Sequence, residues 1–92
     1  MEIEEKNNMI NAERARKIVQ EAKDKRMKEL VDFVEREKIS EKIVNRASRG
    51  YHNISFNIKD EYLTVATEYF NELGFAVSHT PKYTQTEVEI SW

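Results

Sequence analysis

The stretch from Asp60 to Val77, DEYLTVATEYFNELGFAV, constrains the fold more than any other part of the chain. Tyr62, Ala66, Tyr69, Phe70 and Leu73 recur at i, i+4, i+7, i+8 and i+11, which places them on one face of an amphipathic helix. Asp60 is positioned to cap that helix, and together with Glu61 it sets negative charge at the positive end of the dipole. Gly74 comes directly after the last apolar position, where a left-handed residue ends a helix at little steric cost. Each large side chain buried on this face contributes about 1.5–3 kcal/mol, so the helix can anchor a small core. It needs an apolar surface to lie on.

The flanking segments supply that surface. His52–Ile58 alternates, with Ile54, Phe56 and Ile58 on one face and Asn53, Ser55 and Asn57 on the other. Phe75, Val77 and His79 alternate with Ala76, Ser78 and Thr80, and Thr80–Thr84, with Pro81, reads as a turn. Thr86–Trp92 sets Val88, Ile90 and Trp92 against Glu87, Glu89 and Ser91. Strands apolar on a single face predict a two-layer α+β domain, with helices covering one face of a three-stranded sheet. A helical crossover makes the first two strands parallel and a hairpin makes the last two antiparallel, so the sheet is expected to be mixed. The C-terminal strand is expected in the middle, because a chain end inserts there without a connection to carry away.

Upstream, a long helix is predicted from Ala12 to about Glu37, on the order of 40 Å at 1.5 Å per residue, with Asn7, Asn8 or Asn11 as its cap. It carries two apolar sets. Ala15, Ile18, Val19 and Ala22 form the first, and Met27, Leu30, Val31 and Val34 the second, rotated from it by about 140°. One set can pack on the domain. The other is left for a partner chain, so Ala15, Ile18, Val19 and Ala22 are the expected oligomer interface. A bend near Asp24–Lys25 would instead realign both sets on one core. Ser40 then caps a short helix, Glu41–Ser48, expected to bury Ile43, Val44 and Ala47 before Gly50 ends it. The organisation expected is a flexible N-terminus (1–11), a long oligomerisation helix (12–39) and an α-β-α-β-β domain (40–92).

At 92 residues the chain makes one domain, too small for a large enclosed cleft. It has no cysteine, which removes disulfides, thiolate metal sites and a thiol nucleophile. Apolar runs of two or three residues rule out a transmembrane helix, and the acidic opening MEIEEKNNMI lacks the apolar segment of a signal peptide. A soluble cytoplasmic protein is expected. His52 and His79 lack metal-ligand spacing, and no nucleotide-binding or nucleophile motif occurs. The expectation is therefore a protein with no catalytic residues, metal or cofactor.

Residues 14–28 carry seven cations against Glu21 and Asp24. Without interleaved aromatics, and in a chain of net charge −2, they read as a solvated face, and nucleic acid is not an expected partner. One cluster could bind a ligand or partner: Arg46, Arg49, Tyr51 and His52 gather around Gly50. Two guanidinium forks suit phosphate and Tyr51 offers a stacking surface. The alternative is structural, with the arginines complementing the negative helix end and Tyr51 packing on the sheet edge. His79, Lys82 and Tyr83 form a smaller group at the hairpin tip.

The order of these elements is itself suggestive. The opening NAERARKI leads to Ile43-x-x-x-Ala47-x-x-Gly50, and the chain continues through Leu73-Gly74-Phe75-x-Val77 to a terminal Ile90-Ser91-Trp92. Over residues 11–92 the chain resembles small uncharacterised proteins of tailed phages and prophages. The resemblance implies no activity, only a context: an accessory factor that blocks a host system, or a piece of a virion. The expected function is a non-enzymatic, homo-oligomeric protein that binds a host component in the host cytoplasm. The alternatives are an oligomeric sponge for a phosphate-bearing nucleotide signal and a structural virion or assembly component.

Overall fold

The structure, a computed structural model, describes residues 9–92. Asn7, Asn8 and most of the expected flexible segment lie outside the described residues. Helix α1 (Ala12–Arg36) runs unbroken, and Asn11 caps it by accepting the Arg14 N–H at 2.8 Å. There is no interruption at Asp24–Lys25. Leu30 and Val34 enter the core and Met27 packs against it, whereas Ile18 and Val19 remain 45% and 65% exposed. The second apolar set thus serves the chain's own core and the first does not.

Helix α2 (Ile39–Ser48) begins earlier than the Ser40 cap implies. Lys38 takes a left-handed φ of 53° to turn the chain, which drives Ile39 into the core at 1% exposure. Ile43 packs beneath the helix, but Val44 and Ala47 face solvent, contrary to the sequence expectation. The two glycines do the same work at two helix ends. Gly50 and Gly74 have φ of 87° and 92°, and the following residues, Tyr51 and Phe75, return their N–H to the carbonyls of Arg46 and Phe70. Those bonds satisfy carbonyls that the helix ends leave open.

Strand β1 (Asn53–Ile58) is followed by a 3-10 turn (Asp60–Tyr62), helix α3 (Leu63–Glu72), strand β2 (Ala76–Pro81) and strand β3 (Thr86–Ser91). The strand order is β1-β3-β2, with the C-terminal strand central as expected. The sheet is antiparallel throughout, which corrects the expectation of a mixed sheet. With β3 inserted between them, β1 and β2 run in the same direction but never touch, so no parallel ladder forms. Ile90 sits opposite both Ile54 and Val77, and Val88 opposite both Phe56 and His79.

The core joins Ile54, Ile58, Val88 and Ile90 of the sheet to Leu30, Ile39, Val65, Ala66 and Phe70 of the helices. The central helix differs from its sequence reading in three places. Asp60 does not cap α3; its carboxylate accepts the Thr86 hydroxyl at 2.5 Å and ties the turn to the start of β3. Val65, off the expected stripe, is 2% exposed, while Leu73 is 59% exposed because it follows the last turn of α3 and precedes the left-handed Gly74. Trp92 lies past the end of β3 and is 37% exposed, with its ring edge-to-face against Phe75 rather than in the core.

Candidate functional site

The cluster at the end of α2 is only partly assembled for an outside ligand. The Arg46 guanidinium donates from Nε to the Asn53 carbonyl at 3.1 Å and from its terminal nitrogen to Asn53 Oδ1 at 3.2 Å. Its carbon also lies 4.0 Å from the centre of the Tyr51 ring, a cation–π stack. Arg46 therefore fastens the helix end to the start of β1. Arg49, Tyr51 and His52 stay exposed, and the His52 carbonyl accepts the Trp92 N–H at 2.9 Å. At the hairpin tip His79, Lys82 and Tyr83 are also exposed, with Lys82 3.8 Å from Glu87.

The first half of α1 forms a second candidate surface. Ala15, Ile18 and Val19 are exposed and Ala22 is half-buried. Lys23, at the edge of this surface, contacts Glu68 of α3 at 2.9 Å. That contact ties α1 to α3. It holds the Lys23 ammonium above its ordinary pKa, chiefly through the Glu68 hydrogen bond.

A groove of about 420 Å³ opens beside the other half of α1, a feature the sequence reading did not anticipate. Glu29, Phe33 and Arg36 form its helical wall, and Asn57 of β1 with Lys59 and Tyr62 beyond that strand line the rest. The residues come from four separated segments, so only the local pattern at 29–36, carboxylates beside an aromatic, could have signalled it. The Tyr62 hydroxyl donates to Glu29 Oε2 across the groove. Arg36 sits 5.8 Å from the Phe33 ring. Buried Leu30 and Ile58 also line the groove, with the carboxylates of Glu29 and Asp32 and the cations of Arg36 and Lys59 around them. Among the described residues, no three His, Asp or Glu side chains gather as a metal site, and no helix is long and apolar enough to cross a membrane.

Tyr62 provides a pH test of this contact. Its phenol is held above the ordinary value of 10.0, first by the hydrogen bond to Glu29, then by lost hydration and the nearby negative charge of Glu29 and Glu61. A raised folded-state pKa means the contribution is complete below the unfolded value and is lost as pH rises through the folded one. The stability difference between the native chain and Tyr62→Phe, measured by urea denaturation, should hold level from neutral pH to about 9 and shrink above about 10. A difference that grows with alkalinity would show that the phenol is not held protonated by the fold.

No known protein family, curated protein or solved structure matches the chain.

Proposed function

We propose that this chain is a binding protein that self-associates through α1 and acts by occupying a component of a host cell, without chemistry of its own. The observation that carries the reading is the exposed half of α1, which presents Ile18 and Val19 to solvent at 45% and 65% while the rest of the helix is anchored. With Ala15 beside them, these two branched side chains offer apolar area for a contact. The host context comes from the resemblance to phage proteins. In this reading the helices form one layer on the apolar side of the sheet, and the polar side, with Ser55, Asn57 and Glu89 exposed, stays open for a partner.

Two other readings have less support. A nucleotide sponge would draw on Arg46, Arg49, Tyr51 and His52, but Arg46 is already engaged with Asn53 and Tyr51. A virion or assembly component rests on the resemblance alone.

Ile18→Glu combined with Val19→Lys should leave the domain folded, since neither side chain enters the core, and reduce its solution mass to that of one chain. Light scattering behind a sizing column compares the two at equal concentration. A native chain that stays monomeric at ~100 μM, far above the dissociation constant of a stable interface, would end the self-association reading.

A further inference from the structure

The two candidate surfaces on α1 are one surface. Ala15, Ala22, Glu29 and Phe33 recur at i, i+7, i+14 and i+18, which at about 100° per residue puts them on a common face. This face adjoins the one that carries Leu30 and Val34 into the core, and at its C-terminal end Phe33 also packs against that core. At its N-terminal end it is the exposed apolar strip around Ile18 and Val19. At its C-terminal end it becomes the helical wall of the groove, with Glu29 and Phe33.

Charge along the helix states which occupant fits. Residues 12–19 carry Arg14, Arg16 and Lys17 against Glu13, and residues 29–36 carry Glu29, Asp32 and Glu35 against Arg36. Two parallel helices would set Arg14 and Arg16 beside their own copies, which is repulsive. Two antiparallel helices crossing at Asp24, the midpoint of α1, bring residues 14–19 of each beside 29–34 of the other. Ala15 then faces Phe33 of the second copy, and Arg14 lies beside its Asp32. Glu21 comes beside the second copy's Lys25. The small side chains of Ala15 and Ala22 allow close approach.

We propose that two copies of this chain pair antiparallel through α1, the basic apolar strip of each lying along the net acidic 29–36 stretch of the other and covering the groove beside it. The inference rests on the self-association proposed above and adds its geometry. A two-fold pair uses every contact twice and closes without exposing a further copy of the same surface. The groove is complete only in the dimer. Lys23 is held by Glu68 of its own chain and stays at the margin of the pairing.

Because the chain has no cysteine, single thiols report the arrangement directly. Arg14→Cys and Asp32→Cys are both at exposed positions, so either variant should fold. Each is treated with a short bis-maleimide alone and as an equimolar mixture, and the mass of the untreated native chain is measured in parallel. Antiparallel pairing predicts a cross-linked dimer in the mixture and little in either variant alone. A cross-link formed by Arg14→Cys with itself would establish parallel helices and overturn the proposal while leaving self-association intact. A native dimer with no cross-link in any sample would move the contact off α1, and a monomeric native chain would overturn both readings together.

Discussion

A chain that stops at Val88 will lose its cooperative unfolding transition. Of the missing residues, Glu89, Ile90 and Ser91 belong to the strand that holds the other two, and Trp92 follows it. Ile90 is fully buried and lies opposite both Ile54 and Val77, and Ser91 lies opposite both Asn53 and Ala76. The Trp92 N–H closes the far end of the ladder on the His52 carbonyl. Removing a buried isoleucine costs about 2–5 kcal/mol, and each lost backbone hydrogen bond about 1 kcal/mol more. Total stabilities of domains this size are only about 5–15 kcal/mol. Circular dichroism during heating is the measurement. A sigmoidal melt in the truncated chain would mean that β1 and β2 hold their places without a central strand. Trp92→Ala alone should have a much smaller effect, since that ring is more than a third exposed.

Phe70→Ala should cost about 3–5 kcal/mol, the largest effect expected of a single substitution here. Phe70 is 1% exposed and forms the hub of the aromatic core. Its ring centre lies 5.6 Å from Phe56, 5.1 Å from Tyr69 and 6.1 Å from Phe75, and Phe56 extends the row to Phe33. Helix α3, the sheet and α1 all meet along this row. None of these neighbours can close the cavity without leaving its own packing, so collapse will be incomplete. The midpoint of thermal unfolding should fall by on the order of 20 °C. Urea denaturation giving a loss below ~1.5 kcal/mol would show that the core repacks and that Phe70 is not its hub.

The aromatic hub was legible in the sequence because helical spacing forces Ala66 and Phe70 onto one face, whatever they pack against. The strands were legible for the same reason. A period of two sets Ile54 with Ile58, and Val88 with Ile90, on one side before any partner is chosen. Glycine at positions 50 and 74 told where helices end, because only glycine enters the left-handed region without steric cost. These are local properties of the backbone, and the sequence carries them complete.

What only the tertiary structure decided is who meets whom. Strand pairing is non-local: with β3 central, as expected, β1 and β2 each pair only with it and antiparallel, so the parallel contact expected between them does not form. Asp60 reads as a cap, yet its carboxylate accepts the hydroxyl of Thr86, a donor 26 residues away in sequence that the fold brings to it. Arg46 has the local makings of a phosphate ligand, and the position of Asn53 made it a clasp. The groove draws on residues 29 to 85, a separation no periodicity can span. The two apolar sets of α1 were visible as sets, but their assignment depended on where the sheet lay. Burial is a property of the assembled core, and a helix read by itself has no inside.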